Sequence, residues 1–152
     1  MSKKTVEKRT HQRRARIMVF GTFDGLHKGH LNFFKQARNL AKNPFLIVSI
    51  ARDRNVKKIK GQYTYLNEKK RQLLVGKSVL VNKTILSGLN NHVPHIVKIN
   101  PDIIALGYDQ RDYVKNLKKD LAKKNLNVKI VRLKPFKEKI YKNVLLKKLP
   151  HS

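Results

Sequence analysis

Short apolar runs alternating with polar stretches of helical length constrain this chain more than any other feature. Ile17 to Phe20, Phe45 to Ala51, Ser78 to Val81, Asp102 to Leu106 and Val128 to Leu133 are rich in Val and Ile and apolar nearly throughout. A strand with one wet face alternates polar and apolar residues, so runs without alternation belong in a sheet covered on both faces. Between them, His30 to Lys42, Asn67 to Val75, His95 to Ile99 and Asp112 to Lys124 read as helices. The first places Leu31, Phe34, Ala37, Leu40 and Ala41 on one face. This alternation predicts an α/β fold: a doubly wound, parallel five-stranded sheet with right-handed crossovers, Rossmann-like in plan. Its ligand should lie at the carboxyl ends of the strands, near the switch in strand order. A final amphipathic helix, Glu138 to Leu149, is expected to close the domain.

A chain of 152 residues suits one such domain, expected to span residues 16–152. Residues 1–15 carry Lys, Arg, Ser, Thr, Gln and His with almost nothing apolar, and are expected to form a disordered basic arm. A transit peptide is the other reading of the arm, disfavoured by its weak amphipathic period. With 36 Lys and Arg against 9 Asp and Glu, the formal net charge is +27, a field that draws in nucleotides, phosphates or nucleic acid. The chain has no cysteine, which excludes disulfides, thiolate catalysis and Cys-ligated zinc and fits a reducing compartment. The longest apolar run, Phe45 to Ala51, is too short to cross a bilayer, and no signal-peptide core follows the basic N-terminus. A cytoplasmic protein without membrane attachment is the expectation.

Directly after the first run comes Gly21-Thr22-Phe23-Asp24-Gly25-Leu26-His27-Lys28-Gly29-His30, and the first helix starts at its end. Glycines there let backbone approach a ligand closely, and the helix N-terminus favours an anion. His27 and His30, three apart, can both point at one phosphate, with bonds that strengthen as charge builds on its oxygens. Lys28 adds charge nearby. Zinc is the rival use of paired histidines; Lys28 and Gly29 between them, and the lack of cysteine, argue against it. His92 and His95, flanking Pro94, read as ordinary polar residues.

The strand, Gly-Thr-Phe-Asp, His-x-Gly-His and the helix that follows resemble the nucleotidyltransferases with a HIGH-like signature, in the cytidylyltransferase-like branch. Ala51-Arg52-Asp53, Lys60-Gly61, Tyr65 through Arg71 and Gly107-Tyr108-Asp109-Gln110 look most like the archaeal FAD synthase group of that branch. The resemblance implies transfer of a nucleoside monophosphate from ATP or CTP to a phosphorylated acceptor, FMN in that group, with pyrophosphate released and Mg2+ required. It implies catalytic roles for His27, His30 and Lys60, the lysine meeting the triphosphate from a Lys-rich loop. It further implies a nucleotide site of Gly21, Thr22, Phe23, Gly29, His30, Arg71 and Asp109. Asp24 and Lys28 would face the acceptor, although Asp24 could equally hold the loop in shape, Arg71 could be a surface residue and Asp109 a helix cap. Where the family usually has Ser or Thr at the start of the last helix, this chain has Lys142 and Asn143, which could substitute as phosphate donors. An anionic acceptor phosphate needs no enzyme nucleophile, and so few acids suit a metal held mainly by the triphosphate, with no protein metal site. A glycerol-3-phosphate or sugar/polyol-phosphate cytidylyltransferase shares the same histidines. From another class, a basic nucleic-acid-binding module would use the charge, although the cations are spread along the chain and no RRM, KH or helix-turn-helix signature is visible. The partners expected beyond substrates are non-specific RNA through the basic surface and a second copy of the chain in a homodimer.

Overall fold

β1 (Ala15–Gly21) is the middle strand, and its side chains point into apolar layers on both sides. Ile17 and Val19 pack with Phe34, Ala37 and Val75 on one face; Met18 and Phe20 pack with Val93, Ile96, Leu117 and Leu121 on the other. Burial on two faces is why the run shows no alternation. The computed structural model describes residues 13–110 and 116–136; the arm to residue 12, the expected final helix, Lys142 and Asn143 lie outside the described residues. Beyond β1 the described elements are α1 (Lys28–Arg38), β2 (Pro44–Ile50), α2 (Asp53–Lys60), α3 (Glu68–Gly76), β3 (Lys83–Leu86), α4 (His92–Ile99), β4 (Ile103–Leu106), α5 (Leu117–Lys123) and β5 (Lys129–Arg132).

The sheet is parallel with strand order β3-β2-β1-β4-β5, as the alternation predicts. β1 pairs along its whole length with β2, from Ala15 opposite Pro44 to Gly21 opposite Ile50. On its other side it pairs with β4 through Ile17 and Met18. Chain order therefore reverses between β1 and β4, which puts a crevice beyond Gly21 and Leu106.

Three expectations change. The third strand is Lys83–Leu86, not Ser78 to Val81. The earlier run is a turn after α3, closed by the Val81 N–H on the Ser78 carbonyl at 3.2 Å, with Val79 95% exposed. The segment before Lys60 is helix α2, so this lysine ends a helix capped by Gly61 at φ 78° rather than sitting in a loop. β1 begins at Ala15, Arg14 donates to the Pro44 carbonyl at 2.7 Å, and the Arg16 N–H donates to the Asp102 carboxylate at 2.8 Å, so the fold takes in the end of the expected arm.

Candidate active site

The turn after β1 is built on its own side chains. Gly21 is required by Phe23: a Cβ on Gly21 would lie 2.4 Å from the Phe23 ring. That ring is buried, edge-on to His30 at 5.3 Å and tilted against Phe34 at 5.4 Å. Gly25 supplies the left-handed turn, φ 113°, that brings the chain to α1.

His27 is the N-cap of α1, so the helix starts at Lys28, two residues earlier than expected. The His27 Nδ1 accepts the Gly29 N–H at 3.0 Å and the His30 N–H at 3.4 Å. In return, the His30 Nδ1 accepts the His27 N–H at 3.3 Å. The two rings stack with centroids 3.8 Å apart. This is a capping box made of histidines. It also sets the tautomer: with Nδ1 accepting, the proton of each neutral ring is on Nε2.

Both histidines and the turn, Gly21 through Asp24, line one cavity of about 940 Å³, together with Gly29, Lys60 and Asp109. It straddles the crevice, with the β4 end, Gly107 to Gln110, on one side and the segment after α2 on the other. Lys28 is exposed on α1, off the cavity wall. Arg71 is neither a surface residue nor on the wall: it is fully buried behind the turn. Its guanidinium donates to the Thr22 carbonyl at 2.8 Å, the Leu66 carbonyl at 3.1 Å and the Asp53 carboxylate at 2.6 Å. Asp24 has both carboxylate oxygens on backbone, accepting the Tyr65 N–H at 2.7 Å and the Leu66 N–H at 2.8 Å.

The N-termini of α2 and α3 cap each other. The Glu68 carboxylate accepts the Asp53 N–H and Arg52 Nε, each at 2.9 Å, while the Asp53 carboxylate accepts the Glu68 N–H at 3.0 Å. Burial alone would raise the Asp53 carboxyl. The hydrogen bond from Arg71, the Glu68 N–H, the Arg71 charge and the Thr64 hydroxyl outweigh it and hold the group below its ordinary value.

The decisive comparison is with the cytidylyltransferase-like family, whose model matches residues 18–147. This chain belongs to the cytidylyltransferase-like family. It is 41% identical over 122 residues to the FAD synthase of Korarchaeum cryptofilum, covering 80% of this chain and 82% of that one. It is 43% identical over 123 residues to the FAD synthase of Methanosarcina barkeri, covering 81% and 86%. The crystal structure of the lipopolysaccharide core biosynthesis protein from Thermoplasma volcanium matches the fold with a TM-score of 0.74 at 31% identity, over 82% of this chain and 99% of that one. As a member of the cytidylyltransferase-like family, the chain is a nucleotidyltransferase.

Of the residues that hold this cytidylyltransferase-like site together, Arg132 and Gln36 carried no signal in the sequence, whereas Gln110 stood in a motif without a role. Arg132, at the end of β5, donates to the Gly107 and Gln110 carbonyls at 2.9 and 2.8 Å. Gln110 accepts the Gly107 N–H at 2.8 Å and donates to the Phe20 carbonyl at 2.9 Å, tying the Asp109 loop to the end of β1. The Gln36 amide makes both bonds to the Lys134 backbone, at 2.8 and 2.9 Å. The His95 Nε2 lies 3.0 Å from the Ser49 hydroxyl at the carboxyl end of β2. His92 stands edge-on to Phe20. Burial lowers both imidazole pKa values, and for His95 the His92 and Lys98 charges lower it further. Among the described residues, no group of three or more His, Cys, Asp or Glu could hold a metal, and no helix is long and apolar enough to cross a membrane.

Proposed function

We propose that this enzyme is an FMN adenylyltransferase, transferring AMP from ATP to the phosphate of FMN to give FAD and pyrophosphate. The observation that carries the reading is the reciprocal His27/His30 box opening on the cavity at the switch in strand order. The FAD synthase relatives support FMN over a sugar phosphate as acceptor. A cavity of about 940 Å³ is near the top of the range for ligand pockets, which is what two nucleotide-sized substrates need.

An FMN phosphate oxygen attacks the α-phosphorus of ATP. The new P–O bond forms in line as the bond to the β-phosphate oxygen breaks, and that electron pair leaves with pyrophosphate. The attacking phosphate is already anionic, so positioning and charge stabilisation supply the catalysis. His27 and His30 present Nε2–H donors whose bonds strengthen as charge grows on the phosphate oxygens, and the N-terminus of α1 adds its dipole. Lys60 reaches the triphosphate from the end of α2, and Asp109 faces the nucleotide. Arg71 and Asp24 act from behind, fixing the Thr22 turn and the segment at Tyr65. With 9 Asp and Glu in the chain, the divalent cation of this reading, Mg2+, arrives on the triphosphate. Bound there, it would offset charge on the phosphates.

The test is pyrophosphate release by purified protein with Mg2+, ATP or CTP, and FMN or glycerol 3-phosphate. FAD formation from FMN is the expected result. Release with glycerol 3-phosphate alone would replace the acceptor and keep the reaction class.

A further inference from the structure

We infer that Tyr65 is the stacking platform for the isoalloxazine ring, an inference that rests on FMN being the acceptor. The Tyr65 side chain is 99% exposed, yet its backbone is held from several directions. Its own N–H and that of Leu66 donate to the two oxygens of Asp24, and the Leu66 carbonyl accepts from Arg71 and from the Thr64 hydroxyl. An exposed tyrosine on a loose loop needs no explanation. Here a rigid mount on the cavity wall presents an aromatic ring that contributes nothing to the core, with backbone order established before any ligand arrives.

The surroundings fit a planar, anionic ligand. Tyr63, two residues away and 67% exposed, lines the same side of the cavity, so two exposed aromatic rings stand on one wall. The Lys57 ammonium lies 5.2 Å from the centre of the Tyr63 ring, and Lys60 stands on the same wall. Aromatic faces interleaved with cations bind stacked, phosphorylated heterocycles.

The reaction brings two heterocycles, and the two walls differ. The Gly107 to Gln110 wall also has an aromatic residue, Tyr108, but it is 40% exposed against 99% for Tyr65, and this wall is clamped by Arg132 and carries the Asp109 carboxylate, which suits the hydrogen-bonding edge of adenine. On the Tyr65 wall the Asp24 oxygens are already engaged by backbone, leaving the Tyr63 and Tyr65 rings beside the Lys60 cation with no free carboxylate among the described residues there. The isoalloxazine, with three fused rings and a dimethylbenzene edge, is the larger and more apolar of the two.

Stacking on a phenol quenches flavin fluorescence, which gives a readout apart from turnover. Wild-type protein, Tyr65→Ala and Tyr65→Phe are titrated into FMN without ATP, then compared in steady-state kinetics and melting curves. Tyr65→Ala should lose the quenching and raise both the Kd and the KM for FMN about tenfold, with the KM for ATP and the Tm unchanged. Tyr65→Phe should keep FMN affinity close to wild type, since the ring remains. An unaltered Kd for FMN in Tyr65→Ala, or an equal rise in both KM values, overturns the platform while leaving the FMN reading intact. Wild-type protein that neither binds FMN nor forms FAD, but releases pyrophosphate with another acceptor, overturns the acceptor reading and this inference with it.

Discussion

His27 and His30 each carry two duties on one ring, and the two nitrogens separate them. Nδ1 caps the helix, and Nε2 carries the proton that the proposed chemistry uses. Replacing either by Ala should therefore lower kcat by about 10² to 10³, the cost of one transition-state donor. It should also cost about 0.5–2 kcal/mol of stability through the lost cap. Asn is a good N-cap and Gln closes a capping box from the N3 position. Thus His27→Asn and His30→Gln should restore most of the stability without restoring kcat. Urea unfolding beside steady-state kinetics checks this; recovery of turnover by His27→Asn would show that capping alone is the role of His27. The spacing of this pair was legible in the sequence, because a turn that ends a buried strand and opens a helix sits at the carboxyl end of the sheet. The direction of neighbouring side chains was not. Arg71 and Asp24 occupy motif positions, yet both are committed to backbone groups, Thr22 and Leu66 for one and Tyr65 and Leu66 for the other.

At the scale of elements, α2 and α3 meet end to end around Arg71, and nothing in a linear pattern announces such a contact. The central strands were legible because both of their faces are buried. β3 was not, since Lys83-Thr84-Ile85-Leu86 at the sheet edge is less apolar than the turn before it. α2 escaped notice because Val56 is its only buried residue, leaving too narrow an apolar stripe to read. Removing Arg71 strands two carbonyls and the Asp53 carboxylate, so Arg71→Met should lose about 3 kcal/mol, and Arg71→Lys most of that, since one ammonium cannot span three acceptors. Acid should unfold the protein in two stages. His92 and His95 have folded pKa values below 6.5, so the unfolded chain takes up protons that the fold resists; stability is full above 6.5 and declines as pH falls from there. Asp53, held below its ordinary 3.8, contributes stability above that value, which is lost as pH drops through its lower folded pKa. Denaturation measured from neutral to strongly acid pH should show the first stage reduced in a His92→Asn, His95→Gln double variant and the second reduced in Asp53→Asn. A first stage of undiminished size in the double variant would show that other groups carry it.

For the whole molecule, +27 is far more charge than two phosphorylated substrates require at the site itself. The cations are spread along the chain, so they act on approach more than on the bound state. Beyond a Debye length of about 8 Å at physiological salt, exposed charges are screened, and attraction of a distant anion weakens steeply as salt rises. A group held against a phosphate inside the cavity is screened much less. Capture and chemistry should therefore separate in one salt series. As KCl is raised from dilute buffer to several times physiological strength, kcat/KM for FMN and ATP should fall by about tenfold or more, while kcat stays nearly constant. The same field predicts that a short single-stranded RNA inhibits at low salt, with a log–log slope of about −0.7 for each phosphate neutralised, and that inhibition vanishes as salt rises. Kinetics with and without the RNA across that range test both statements together. A kcat that falls in step with kcat/KM would place the salt-sensitive charges inside the reacting site. RNA inhibition that persists at high salt would require a dedicated RNA surface on this fold rather than a general field.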